Sequence, residues 1–332
     1  MDNGRDLRGQ PHQERIAPVR ENEEVVQKTL KAPVLFKGVG LHSGAPANLT
    51  VRPAAPNHGI IFRRTDIRLG DSEIPAQWDR VNRTPLCTML ENAAGTRVST
   101  IEHLMAALAG CGIHNALIEI DGPEVPILDG SSAPFVRAFL ECGLRAQSAP
   151  IRALEILRPV EVRAGDAVAR LEPSRVMEIA FAIDFEDQAI GSQTKHLTME
   201  NGTFVRELCD CRTFCRQADV DAMQAQGLAL GGVPGENAVV FDGDAVVSPG
   251  GLRRTDEPVR HKMLDALGDL ALAGGPVLGL YTGTRSGHNL TNTLLRAVFD
   301  DPANYRFVDC TAAQAARLPG AGVHLDEIPQ VA

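Results

Sequence analysis

The chain contains 332 residues, of which 44% are apolar and 23% charged, values typical of a globular protein with material for two domains. Its 33 basic and 42 acidic residues give a formal net charge of -9, which excludes a phosphate-neutralising nucleic-acid binder because such proteins carry an excess of Lys and Arg. No segment approaches the ~18 consecutive apolar residues of a membrane-spanning helix.

Residues 1–28 are highly charged and lack a periodic apolar pattern, which predicts a disordered N-terminal tail. Its first residues also lack the apolar core of a signal peptide, and the seven cysteines form no paired spacing. Reduced thiols of this kind are typical of the cytoplasm. We therefore expect a cytoplasmic protein without stable membrane insertion.

From Thr29 onward, alternating runs predict short strands and turns. Residues 99–110 (STIEHLMAALAG) then predict a helix from their apolar spacing, and Ser99 with Glu102 fits a capping box. A strand over 115–120 and a helix from Pro134 to about Cys142 follow.

The second half begins near Ile151 with strand-like runs. The remaining predicted elements are a helix and turn over 216–232, a hairpin over 236–247, a helix from about Pro258 to Gly274, a strand over 277–283 and a helix beginning near Leu290. This mixed order of strands and helices favours an α+β fold over a doubly wound parallel sheet.

A weak internal repeat relates HLMAALAG (103–110) to HKMLDALG (261–268). The two segments share His, Met and Gly at the same offsets, and each precedes a predicted strand. A true repeat would imply two similar halves that each offer one histidine to a shared cleft.

Candidate chemistry lies on the same two helices. His261, Asp265 and Asp269 recur every four residues, opposite the apolar stripe of their helix; they form either a metal-binding face or a solvated one. On the other helix, His103 is a candidate ligand, and Glu102 is either a base or only a helix cap.

Two further segments allow both a functional and a structural interpretation. His288 lies in a glycine-flanked loop entering a helix, where Arg285 and backbone amides could hold an anion; a locally hydrogen-bonded histidine is the alternative. Cys209, Cys211 and Cys215 suggest zinc, but they lack the second half of a structural site, so buried thiols are favoured.

Taken together, seven blocks resemble the UDP-3-O-acyl-N-acetylglucosamine deacetylases, metal-dependent enzymes of bacterial lipid A synthesis. These blocks keep their order over about residues 28–300: GVGLHSG (38–44), IIFRRTD (60–66), STIEHLMAALAG (99–110), PEVPILDGSSAPF (123–135), CRTF (211–214), GLRRTDEPVRHKMLDALGDL (251–270) and SGHNLTNTLL (286–295).

The resemblance implies two similar α+β domains, with helices between two sheets and the active site at the domain interface. The expected divisions are domain I over 29–148 with an insert at about 80–97, domain II over 149–312 with an acyl-passage insert at about 215–231, and a C-terminal tail over 313–332.

The resemblance also implies roles for individual residues. His103, His261 and Asp265 would bind Zn²⁺, with Fe²⁺ as the in vivo alternative. Glu102 would act as the base and His288 as the acid. Asp269 would stabilise protonated His288, and the Thr213 hydroxyl would help to hold the oxyanion.

The expected substrate is an acylated UDP-sugar bound by a monomer. Lys262 matches a family position near the site and, with Arg285, would meet the diphosphate on grounds of charge. Phe214 would form a wall for the sugar, and Met223 and Leu228 would line the acyl passage. The alternatives are an amidohydrolase for another acylated amino sugar and a non-catalytic sugar-nucleotide binding protein.

Overall fold

Two mixed β-sheets of matching topology form the framework of the computed structural model, which describes residues 25–84 and 86–330. The described residues of the first half form ten strands and two α-helices: β1 (Val26–Leu30), β2 (Val34–Val39), β3 (Pro46–Pro53), β4 (Ile60–Arg64), β5 (Glu73–Pro75), β6 (Val81–Asn82), β7 (Met89–Glu91), β8 (Arg97–Val98), α1 (Glu102–Gly110), β9 (Ala116–Ile120), α2 (Ala133–Cys142) and β10 (Leu144–Pro150).

The second half adds the remaining elements. These are β11 (Arg152–Ile156), β12 (Val160–Ala164), β13 (Ala167–Pro173), β14 (Met177–Asp184), β15 (Ser192–Thr198), α3 (Thr203–Glu207), β16 (Phe214–Arg216), α4 (Gln217–Ala225), β17 (Val239–Asp242), β18 (Ala245–Val246), α5 (Glu257–Leu270), β19 (Val277–Thr284), α6 (His288–Asp300), β20 (Tyr305–Asp309) and α7 (Ala312–Ala315).

The two large sheets repeat one pairing pattern. The first has the order β2-β3-β9-β4-β5, in which only the β4/β9 pair is parallel. In the second, β12-β13-β19-β14-β15 repeats this order with a parallel β14/β19 pair, and β11 and β20 extend it to seven strands. This duplication confirms the α+β class and gives the weak sequence repeat a structural basis.

The repeated segments lie on α1 and α5, which pack directly against each other. A Cβ atom on Gly268 would lie 2.1 Å from the carbonyl oxygen of Glu102, far inside van der Waals contact. Glycine therefore allows α5 to approach the backbone of α1. Buried side chains from both sheets and these helices form one continuous hydrophobic core.

An additional small sheet lies at the same position along the chain in each half, between the edge strand β5 or β15 and the repeated helix. In the first half it is β6-β7-β8, which spans Val81 to Val98. In the second half, β16-β17-β18 and α4 extend from Phe214 to Val246. The expected insert over 215–231 lies within this stretch.

Most of the predicted helices and strands are confirmed within a few residues, but the capping box at α1 is wrong. The helix begins at Glu102 with Ile101 as its N-cap, and no side chain caps it. The Ser99 hydroxyl donates to the Pro123 carbonyl, and one Glu102 oxygen accepts from the backbone N–H of Thr88. Glu102 is thus free of any capping role.

Both ends of the described chain pack against the body. Strand β1 includes residues 26–28, so the predicted tail is wrong there. Pairing with β10 and a hydrogen bond from the Lys28 N–H to His114 Nδ1 order this stretch. Residues 1–24 of the predicted tail lie outside the described residues. In the predicted C-terminal tail, Leu318 and Ile328 are buried. Among the described residues, no helix is both long and apolar enough to cross a bilayer.

Candidate metal centre and catalytic site

Three side chains from the two repeated helices form a candidate metal centre. His103 lies in the first turn of α1, whereas His261 and Asp265 lie one turn apart on α5. Their nearest ligand atoms all lie within 4.8 Å of one another, and all three residues are buried. The face of α5 that carries His261 and Asp265 is therefore buried rather than solvated, and it lies against α1.

The interatomic distances fit a single ion. Asp265 Oδ1 lies 3.6 Å from His103 Nε2 and 3.4 Å from His261 Nε2. Two ligands of a tetrahedral ion with bonds of about 2.0–2.1 Å are ~3.3 Å apart. Asp265 Oδ1 is also buried without a hydrogen-bond partner among the described residues, and a cation would satisfy it.

The pKa shifts of His261 and Asp265 suit metal binding. Burial lowers the pKa of His261 to about 4, so its imidazole is neutral near pH 7, and its Nδ1 lies 3.0 Å from the Cys211 carbonyl. A proton on Nδ1 leaves Nε2 as the ligand atom. Burial would raise the pKa of Asp265, but His261, Lys262 and His288 hold it well below its ordinary value.

Lys262 supplies a fixed positive charge beside the cluster. Its Nζ lies 2.7 Å from Asp265 Oδ2, the oxygen that does not face the two histidines. Although burial opposes the charged form, Asp265, Asp269 and Glu102 raise the pKa of Lys262. The ammonium therefore stays charged and holds one oxygen of Asp265 away from the cluster.

A proton donor and a proton acceptor lie beside the candidate ligands. His288 is the first residue of α6, and its Nε2 lies 3.8 Å from both Glu102 Oε1 and Asp265 Oδ2. Burial raises the pKa of Glu102 despite the opposing effects of His288 and His103. A buried carboxylate with a raised pKa is typical of a general base.

His288 is oriented by Asp269, whose Oδ2 lies 2.9 Å from His288 Nδ1. Burial would lower the pKa of His288, but Asp269, Glu102 and Asp265 raise it to about 9. The imidazolium is therefore the form present at neutral pH, with a proton on Nε2 facing the cluster. This geometry and these charges suit an acid–base pair beside the candidate metal centre.

Comparison with known proteins identifies the family. The family model described as LpxC: UDP-3-O-acyl N-acetylglycosamine deacetylase matches residues 27–300. The chain belongs to the UDP-3-O-acyl-N-acetylglucosamine deacetylase family. It is 52% identical over 280 residues to the enzyme of that name from Phenylobacterium zucineum (strain HLK1), covering 84% of this chain and 95% of that protein.

Other members of the deacetylase family are similar over comparable lengths. The protein with the same name from Anaeromyxobacter sp. (strain Fw109-5) is 47% identical over 297 residues, covering 89% of this chain and 96% of its own. That from Shewanella frigidimarina (strain NCIMB 400) is 43% identical over 307 residues, covering 91% of this chain and all of its own. These matches agree with the resemblance noted from the sequence.

Thr213 ends the loop before β16 and Phe214 begins that strand, two positions that the resemblance to the deacetylases indicated. The Phe214 ring lies edge-on to His261 with centroids 6.2 Å apart. Thr213 is half-buried, and its backbone bridges Gly130 and Val239. This loop also supplies the Cys211 carbonyl that faces His261, so it lies beside the candidate centre.

The remaining candidates for substrate contact lie in more exposed positions. Arg285 is half-exposed, bonds to Asp184 and lies 3.8 Å from Asp166. Met223 and Leu228 are half-buried on and just after α4, where the Leu228 N–H donates to the Met223 carbonyl.

The cysteine motif is not part of the cluster. Cys209 and Cys211 are buried, and their burial raises the pKa of each thiol well above its ordinary value. Burial also raises the pKa of Cys215 to about 11. Protonated thiols are poor zinc ligands, which supports the interpretation of buried structural thiols.

Sequence reasoning missed Thr88, which contacts both Glu102 and Asp269. It lies 14 residues from one partner and 181 from the other, so no local spacing pattern could have indicated it. A polar residue within the insert that the resemblance placed at about 80–97 was the only available signal.

Proposed function

We propose that the chain hydrolyses the acetamide of UDP-3-O-acyl-N-acetylglucosamine, giving UDP-3-O-acyl-glucosamine and acetate in lipid A biosynthesis. The observation that carries this proposal is the convergence of His103, His261 and Asp265 with Glu102 and His288 at the contact of α1 and α5. Family membership over nearly the full length of the relatives supports the choice of substrate.

We propose zinc as the ion, since two imidazoles and one carboxylate leave a fourth tetrahedral position open, as in catalytic zinc sites. The same ligand types also bind Fe²⁺, which is the alternative in vivo. When bound, the ion would supply Lewis-acid polarisation and lower the pKa of water.

The side chains around the ligands divide the proton transfers between them. Glu102 Oε1 accepts the proton of the attacking water, because its other oxygen is already bonded to Thr88. The Thr213 hydroxyl donates to the oxyanion that develops on the acetamide carbonyl. His288 then transfers its Nε2 proton to the leaving nitrogen, since an unprotonated amine is a poor leaving group.

Asp269 keeps His288 protonated until that transfer, and the 2.9 Å contact fixes the ring with Nε2 facing the cluster. The raised pKa of Glu102 and of His288 matches the two roles. The proposed base and the proposed acid thus lie close together, with Glu102 Oε1 3.8 Å from His288 Nε2.

Substrate contacts are proposed from position and charge. Lys262 and Arg285 would bind the diphosphate by exchanging their present carboxylate pairs for phosphate oxygens. Phe214 would pack against the sugar, and Met223 and Leu228 would contact the acyl chain. We further propose a cytoplasmic monomer, and the UDP-linked substrate and free cysteines support that location.

The test measures acetate and free amine released from UDP-3-O-acyl-N-acetylglucosamine, with and without a chelator. We expect chelation to abolish release and added Zn²⁺ to restore it. Glu102→Gln should retain bound metal but lose ~10²–10⁴ in kcat, whereas Glu155→Gln on β11 serves as a matched control. Release that persists in the metal-free protein would refute the proposal.

A further inference from the structure

Thr88 lies immediately before β7, and its polar groups form hydrogen bonds with Glu102, Asp269 and the start of α1. Its side chain is buried, with the residue 3% exposed. The backbone N–H donates to Glu102 Oε2 at 3.0 Å, and the hydroxyl donates to Asp269 Oδ1 at 2.6 Å. Its carbonyl accepts from the N–H of Ile101 at the start of α1.

These two donors select which carboxylate oxygens remain free. With Oε2 of Glu102 engaged, Oε1 is the oxygen that faces His288 Nε2. With Oδ1 of Asp269 engaged, Oδ2 is the oxygen that holds His288 Nδ1. Thr88 therefore orients both Glu102, the proposed proton acceptor, and Asp269, which holds the proposed proton donor His288.

Thr88 also connects the two halves of the fold. It lies next to the small sheet β6-β7-β8 of the first half, Glu102 begins α1, and Asp269 lies near the end of α5 in the second half. Because α1 and α5 come from different repeats, neither helix alone can set the relation between base and acid.

We propose that Thr88 is a positioning residue that holds Glu102 and the Asp269–His288 pair in register for successive proton transfers. This inference rests on the proposed function. Its hydroxyl acts through Asp269 and its N–H acts through Glu102; Thr88 itself does not touch the reacting atoms.

The hydroxyl can be removed with little change in shape. Thr88→Val deletes the donor to Asp269 but keeps the N–H bond to Glu102, whereas Thr88→Ser keeps both donors. We expect Thr88→Val to lower kcat about 10- to 100-fold with unchanged KM and metal content. Thr88→Ser should recover kcat to within about threefold of the wild-type value, because it still makes both hydrogen bonds.

Thr96→Val is the matched control. Thr96 lies in the same insert, is buried, and donates its hydroxyl at 2.7 Å to the backbone carbonyl of Asp71 rather than to a catalytic residue. We expect it to leave kcat unchanged. In an Asp269→Ala background, Thr88→Val should add less than a twofold loss, since the partner through which the hydroxyl acts is gone.

Each outcome decides the inference. A wild-type chain that releases no acetate would overturn the proposed function itself. With an active wild type, Thr88→Val at full kcat would overturn only the Thr88 inference, as would an equal loss in Thr88→Ser or Thr96→Val. Should the valine variant not fold, Thr88→Ala against Thr88→Ser gives the same comparison, because both changes only remove atoms.

Discussion

Asp269→Asn tests the acid–base assignment most directly. The change removes one negative charge 2.9 Å from His288 Nδ1 and keeps the size of the side chain. Asp269 is the largest of the carboxylate influences that raise the pKa of His288 to about 9. We therefore expect the substitution to lower that pKa and to move the alkaline limb of kcat/KM to lower pH.

The size of the effect follows from the contacts that remain. Raising the pKa from 6.5 to about 9 corresponds to about 3 kcal/mol in favour of the imidazolium. Glu102 and Asp265 still lie 3.8 Å from His288 Nε2, so Asp269→Asn removes only part of this stabilisation of the imidazolium. Loss of one close charge shifts a pKa by ~1–3 units; with a fall of ~2, the protonated fraction at pH 8 drops from ~0.9 to ~0.1.

The assay is the rate of acetate release against pH for the wild type and the variant, each with saturating Zn²⁺. A bound cation acts on His288 in both proteins, so the comparison isolates the charge of Asp269. Asp309→Asn, the same change at a largely exposed carboxylate of β20, should leave the profile unchanged. An alkaline limb that does not move in Asp269→Asn would refute His288 as the acid.

Two further predictions concern stability. Gly268→Ala should destabilise the fold by ~1–3 kcal/mol and reduce activity, because the new Cβ would lie 2.1 Å from the Glu102 carbonyl oxygen. The control is Gly122→Ala, whose Cβ would lie 3.9 Å from its nearest neighbour. Equal urea midpoints for the two variants would contradict the reasoning. Burial lowers the pKa of His114 to about 4, whereas in the unfolded chain it is near 6.5. As the pH falls from 6.5 to 4, the unfolded chain therefore gains a proton that the folded protein does not bind, and the free energy of unfolding decreases by about 3 kcal/mol. His114→Asn should flatten this part of the unfolding free energy against pH, and an unchanged slope would show that His114 is not responsible.

Helical spacing indicated candidate ligands, but the resemblance to the deacetylases was needed to select His103, His261 and Asp265. A helical repeat places His261, Asp265 and Asp269 on one face whatever that face contacts. Whether the face meets solvent or another helix depends on the partner, and α1 is about 150 residues away. The spacing therefore indicated candidate donors but not their burial, and burial is what perturbs the pKa values.

Other features depend on contacts that no local pattern encodes. Ser99 and Glu102 have the spacing of a capping box, yet strand-like pairing of Ser99 with Glu124 and the Thr88 N–H bond to Glu102 prevent it. Thr88 itself gave no signal. The ion pair between Arg285 and Asp184 likewise depends on β14 lying next to the end of β19.

The duplicated topology has a consequence for how the cleft can be used. His103 and His261 occupy the same offset of the repeat, but Glu102 corresponds to Arg260 and Asp265 corresponds to Ala107. A cleft with identical halves would accept a ligand equally well in either of two opposed directions. Because the neighbours of the two imidazoles differ, only one direction would place the scissile bond between Glu102 and His288, the proposed base and acid. In the reversed direction the substrate would lack that pair.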